Sequence, residues 1–111
     1  MQSISYGDFE KVDIRVGRIL KAEDFPNARK PAYKLWIDFG EFGQKQSSAQ
    51  ITARYRKEDL KDRLVLAVVN FPPKQIADFK SEVLVLGVVL SDTDVVLIQP
   101  DEDVPVGKRL L

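Results

Sequence analysis

DIRVGRILKAEDF, residues 13–25, is the stretch whose reading decides the fold. Ile14 and Val16 share one parity, whereas Ile19 and Phe25 fall on the other, with Gly17 between them. Successive side chains of a strand point to opposite faces, so an apolar pattern that changes parity belongs to a strand that does not run straight. A glycine at the change predicts a β-bulge at Gly17, which lets one long strand bend and serve two sheets. Small closed barrels need such a strand.

The flanking segments supply the other staves. In KLWIDFG (34–40), Leu35, Ile37 and Phe39 share one face, with Trp36 and Asp38 on the other. Gly40 and Gly43 bracket a turn before KQSSAQITARY (45–55), a third and more polar strand. RKEDLKDR (56–63) reads as a helix of about two turns. It precedes three β-branched runs, LVLAVVNF (64–71), SEVLVLGVVLS (81–91) and DVVLIQP (94–100). YGDFEKV (6–12) predicts a short N-terminal helical turn with Asp8 as its cap. Three strands, a helix, then two or three strands is the order of an all-β, five-stranded oligonucleotide and oligosaccharide binding (OB) barrel with a short helix between strands 3 and 4. An N-terminal helical turn and C-terminal strand extensions complete it. An SH3-like barrel or an open β-roll are the competing folds, and the helix position favours the OB arrangement.

Within NFPPKQIADFK (70–80), Pro72 and Pro73 argue against regular structure, yet Phe71, Ile76 and Phe79 are apolar. A loop of that composition is either folded onto the core, Phe79 before the others, or offered to a partner. Held rigid by its prolines, it could present an apolar surface at little ordering cost. Trp36, on the face opposite Leu35 and Ile37, is expected outside the barrel core. There it could stack a base, anchor a protein contact, or pack beneath a neighbouring segment. Trp36, Phe71, Ile76, Phe79 and Lys74 are accordingly the candidate contact residues for a partner, with Lys80, Arg54 and Arg56 as a charged rim.

Composition excludes several classes. The 111 residues suit one domain, 1–111, with no repeat or linker. Without cysteine there is neither a disulfide framework nor a thiolate metal site, and without histidine the commonest general base and metal ligand is missing. No serine sits in the glycine frame of a hydrolase, and Gly40 and Gly43 do not form a phosphate-binding loop. The acidic run Asp101, Glu102, Asp103 lacks calcium-loop spacing. The chain is therefore expected to be a binding protein, not an enzyme, with no cofactor or metal. No segment is apolar enough to insert in a membrane and no export signal opens the chain, which points to a cytoplasmic location.

Seventeen basic and seventeen acidic residues give zero net charge, unlike a chain devoted to phosphate contacts. The distribution is uneven. Asn27 to Arg63 carries nine basic residues against five acids, whereas Asp92 to Asp103 holds five acids and no base. Apolar pieces VVLIQP (95–100) and VPVGKRLL (104–111) exceed what so small a barrel covers alone, which points to a homodimer joined through the N-terminal turn and the C-terminal strands.

DIRVGRILKAEDFPNA (13–28), YKLWIDFG (33–40), NFPPKQIADFKSEV (70–83) and IQPDEDVPVGKRL (98–110) together resemble the tRNA-binding domain family of OB folds, over about Phe9 to Leu110. Members that bind tRNA show His-Pro where this chain has Phe25 and Pro26, and Ser-Gly where it has Ala49 and Gln50. They read Ser-Glu-Gly-Met where it has Ser81, Glu82, Val83 and Leu84. KPAYKLWIDFG, KQSSAQIT and NFPPKQIADFKSEVLVLG instead look like the family's export-related chaperone branch. That resemblance implies a cytoplasmic homodimer that binds unfolded preproteins and the export ATPase SecA, without nucleotide hydrolysis, and makes Trp36, Phe71, Ile76, Phe79 and Lys74 its peptide-binding residues. The alternative is a tRNA-binding OB module, with Lys34, Arg54, Arg56 and Lys57 as its RNA-binding residues.

Overall fold

A computed structural model describes residues 1–111. Strand β1, Ile14–Asp24, is the hub. Its first half pairs with β4 (Leu64–Val68) and its second half with β2 (Tyr33–Asp38), so one bent strand serves both sides of the barrel. β2 continues through a 3-10 turn at Gly40–Phe42 into β3 (Gln44–Ala49). The five-stranded antiparallel sheet has the order β3-β2-β1-β4-β7, where β7 is Leu84–Val85. The sheet curls into a nearly closed five-stranded barrel of OB type.

The bulge lies three residues beyond the predicted position. Gly17 pairs in regular register with Val65, and the irregularity falls between Ile19 and Lys21, leaving Leu20 unpaired and turned outward. Gly17 answers a different need: a Cβ there would lie 2.6 Å from Ile37 Cγ2 and 2.7 Å from Phe39 Cε1. The strand crosses so close over the core that no side chain fits.

The change of parity also has a second cause, because β1 is covered on both faces. Ile19 joins Leu35, Ile37, Phe39, Leu60 and Val65 in the barrel interior, all without measurable exposure. Val16 joins Leu64 and Leu66 in a separate cluster outside it, beneath Val104, Val106 and Leu110. The C-terminal segment is held there by Val16 N donating to Lys108 O, Gly107 N to Val16 O and Leu110 N to Ile14 O, at 3.0, 2.7 and 2.9 Å. Part of the apolar tail expected to need a partner is thus spent on the chain's own barrel.

Helix α1 is Tyr6–Glu10, and its cap is Ser5 rather than Asp8. Asp8 instead completes a reciprocal pair: its N donates to Ser5 Oγ and its carboxylate accepts from Ser5 N, both at 3.1 Å. Helix α2, Lys57–Leu60, is one turn and not two. Leu60 is fully buried, and the chain must leave at once to enter β4. Asp62 takes a positive φ of 67°, and Asp62 N donates to Ile19 O while Ile19 N donates to Arg63 O, so β1 claims the residues a second turn would have used.

Two predicted runs are subdivided. NFPPKQIADFK holds a small hairpin, β5 (Lys74–Ile76) with β6 (Phe79–Ser81), around a two-residue turn in which Ala77 has φ 51°. Pro72 and Pro73 lie just before it and so do not interrupt its ladder. SEVLVLGVVLS breaks at Leu86, whose N donates to Leu66 O; beyond it β8 (Gly87–Ser91) turns away to pair with β9 (Asp94–Leu97). No helix is long and apolar enough to cross a membrane.

Where β3 meets the chain before β7, the barrel is stitched largely by side chains. Glu82 N donates to Gln46 O at 2.8 Å, but the flanking links are Gln46 N to Glu82 Oε1, Ser48 N to Ser81 Oγ, and the buried Ser47 Oγ to Val83 O, each at 3.0 Å.

Candidate functional site

Alternation along β2 puts Tyr33, Leu35 and Ile37 inside and Lys34, Trp36 and Asp38 outside. Outside does not mean free. Trp36 packs on a three-residue cluster of Phe25, Ala32 and Phe79, together with Ala28 and Ile76. The Phe79 ring meets Trp36 edge-on at 5.9 Å and Phe25 at 5.5 Å. Lys21 Nζ lies over the Trp36 ring at 4.2 Å, and Lys34 Nζ lies 5.0 Å from the Phe25 ring and 5.4 Å from that of Phe79. Each ammonium faces an aromatic quadrupole, so these two lysines are partly satisfied by rings. The cluster anchors the β5–β6 hairpin, and Asn27 Nδ2 donating to Asp78 Oδ2 at 3.3 Å ties down its turn.

Of the predicted peptide-contact residues, Trp36, Ile76 and Phe79 are brought together, Phe79 with only 6% of its surface exposed. Phe71 stands apart from that cluster and is half exposed. Lys74 is exposed and lines a groove with Ile76.

Two grooves flank Ile76. One, of about 610 Å³, runs between the 27–32 loop and the β5–β6 hairpin; Arg29, Lys30 and Lys74 line it beside Ser48, Gln50 and Gln75, with no acid among its lining residues. The other, of about 370 Å³, is apolar: Ala49, Ile51 and Ile76 face Leu84, Val89 and Val95 across it. Ser48, Gln50 and Ile76 belong to both, which makes the two hollows neighbours along one trough. Sequence reasoning missed the apolar half. Its signal is SEVLVLGVVLS, where consecutive apolar residues in one strand cannot all face one core; Leu84, Val88, Val89 and Leu90 are indeed exposed.

Of the four predicted RNA-contact cations, Lys34 lies over the Phe25 and Phe79 rings and the other three are paired with acids. Arg54 grips Asp94 through two hydrogen bonds of 2.7 and 2.8 Å, Arg56 pairs with Asp59, and Lys57 Nζ lies 2.9 Å from Asp24. Hydrogen bonding to Asp94, Asp59 and Asp24 raises all three basic groups above their ordinary values, and the same bonds hold the Asp94 and Asp59 carboxyls below theirs. Arg29, Lys30 and Lys74 make no ion pair, so the larger groove carries positive charge that no acid in its lining neutralises.

Comparison with known proteins agrees with this fold. The chain is similar to the chaperone CsaA of Bacillus anthracis, with 54% identity and a TM-score of 0.95 over 99% of this chain and 100% of that one. It is similar also to the CsaA chaperone protein of Picrophilus torridus, with 52% identity and a TM-score of 0.89 over 98% and 100%. The methionine–tRNA ligase of Bdellovibrio bacteriovorus is 36% identical over 96% of this chain, which spans only 15% of that enzyme's length. The similarity is to a binding domain and not to a catalytic one. The family model described as "Putative tRNA binding domain" matches residues 14–109, and with most of the barrel inside that match the chain belongs to the tRNA-binding-domain family.

Proposed function

We propose that this protein is a chaperone that binds unfolded polypeptide in the trough beside Ile76, and that it acts in the cytoplasm as a homodimer on preproteins bound for export. The observation that carries the reading is the apolar groove, where Leu84 and Val89 remain exposed at the mouth of a folded barrel. An apolar groove with a few polar groups suits side chains of varied sequence, since apolar burial needs no fixed hydrogen-bond pattern. The likeness to two CsaA chaperones supports it. In this reading Ile76 touches the peptide, Trp36 and Phe79 hold the hairpin that presents it, and Lys74 gives a charged margin, while Phe71 lines neither groove and is left out of the trough. SecA is the partner for handover. Release follows from weak affinity and needs no hydrolysis.

The family membership and the unpaired Arg29, Lys30 and Lys74 favour one second reading, a tRNA-binding module. Salt separates the two: phosphate contacts weaken steeply as salt rises, whereas apolar burial holds or strengthens. The test is fluorescence anisotropy of a labelled unfolded apolar peptide and of bulk tRNA at low and high salt, with Ile76→Glu and Val89→Glu variants. The chaperone reading expects salt-resistant peptide binding that weakens about tenfold or more in each variant, as loss of one well-buried contact costs on the order of 1–2 kcal/mol. Tight, salt-sensitive tRNA binding without peptide binding would reject it.

A further inference from the structure

The apolar groove is unusual in how its two walls are joined. One wall is the chain leaving β3, at Ala49 and Ile51; the other is formed by β7 and the β8–β9 hairpin, at Leu84, Val89 and Val95. β3 spends its ladder on β2, and β8 spends its own on β9, so no strand pairing spans the gap between β3 and β8. Side chains from the segment after β3 cross it instead. Leu97 N donates to Tyr55 Oη at 3.0 Å, and Tyr55 is itself placed by Tyr33 Oη donating to its carbonyl at 2.8 Å. Farther out, Arg54 Nε and Nη2 donate to Asp94 Oδ1 and Oδ2 at 2.7 and 2.8 Å.

These two links are not equivalent. The Tyr55 link is partly buried at the root of β9, where Leu97 enters the core. The Arg54 link is at the other end of β9: Asp94 is its first residue, directly before the groove-lining Val95 and next to the hairpin turn. Its side chains are 41% and 34% exposed. The hairpin has little else to hold its tip, since Val88, Val89 and Leu90 are exposed and its ladder is irregular between Val89 and Ser91. A hairpin rooted at one end and tied at the other by a single exposed fork can open at that end without the barrel unfolding.

We propose that the Arg54–Asp94 pair is a clasp: by tying the tip of β8–β9 to the segment after β3, it sets the opening of the apolar groove and the residence time of what the groove holds. The inference rests on the peptide-binding reading for its ligand, but the tether itself is tested without one. Exposed pairs are weak, so breaking the clasp spares the fold and shifts a closed–open equilibrium by up to about fivefold.

The experiment compares the wild-type protein, Arg54→Ala, Asp94→Ala and the exchanged pair Arg54→Asp with Asp94→Arg. Amide hydrogen exchange across β8–β9 is read first, and then dissociation of a fluorescein-labelled peptide of alternating leucine and serine. Each single variant is expected to speed exchange and dissociation by about two- to fivefold, and the exchanged pair to return both toward wild type. Unchanged exchange in both single variants, or an exchanged pair that restores nothing, overturns the clasp and leaves the peptide reading standing. Faster exchange with unchanged peptide dissociation overturns its control of the groove. A wild-type protein that takes up no peptide overturns the proposed function, and the clasp's control of a ligand with it.

Discussion

Gly17 is the one glycine of β1, and its absent side chain is the space in which Ile37 and Phe39 pack, both fully buried. Gly17→Ala is expected to destabilise the protein by about 1–3 kcal/mol through overpacking, because neither neighbour has an empty direction to move into. Urea denaturation checks this: the midpoint should fall while the slope stays constant. At this scale the sequence identified the residue and misassigned its reason. A glycine at a parity change is compatible with a bulge and with a close approach, and only the position of Ile37, on the next strand, and Phe39, just past its end, distinguishes them. Asp8 shows the same limit on a shorter range. The helical turn was legible, but Ser5 and Asp8 are both good capping residues, and which becomes the cap depends on where the chain enters the turn.

The β5–β6 hairpin shows what an element needs beyond its own residues. Three-residue strands on a two-residue turn do not persist alone in water, and Ala77 at φ 51° adds strain to the turn. Phe79, seated between Phe25 and Trp36, supplies the missing stability. Phe79→Ala is expected to cost about 3 kcal/mol and to release the hairpin, so that amides of Lys74–Ser81 exchange more rapidly than those of β1 or β4. Similar protection loss throughout the barrel would show that the cluster belongs to the main core. The prolines of this segment were a true signal for an interruption, but they mark only the entrance to the hairpin and carry no information about the two short strands after it. The apolar residues were legible as a set; their division into a buried anchor, Phe79, and a groove-facing residue, Ile76, was not.

For the whole molecule, the ion pairs define a window of pH. The Asp94 and Asp59 carboxyls, held low chiefly by hydrogen bonds from Arg54 and Arg56, contribute above their unfolded value near about 4 and lose that contribution as pH falls through the lower folded value. Arg54, Arg56 and Lys57, raised chiefly by hydrogen bonds to Asp94, Asp59 and Asp24, contribute below their unfolded values, above about 10, and lose it as pH rises through the higher folded ones. Neither edge lies near neutrality, and the chain has no histidine. Its thermal midpoint is therefore expected to stay nearly constant between roughly pH 5 and pH 9, which a calorimetric series checks. A clear step near pH 6 to 7 would contradict this account.

Strand periodicity, the parity change in residues 13–25 and the position of one short helix were enough to specify the barrel, because alternation is a local property of the backbone and reads directly from residue types. The family followed from the same segments. The grooves did not, since they arise where β7 leaves the barrel and β8 turns outward, a choice made by the hydrogen bond from Leu86 N to Leu66 O and by the packing around it. Charge was legible as an uneven distribution along the chain, but Arg54, Arg56 and Lys57 meet acids 40, 3 and 33 residues away, and two of those three separations are invisible to any local reading. Local chemistry therefore determined the elements, while long-range packing decided which of their side chains remain available to a partner.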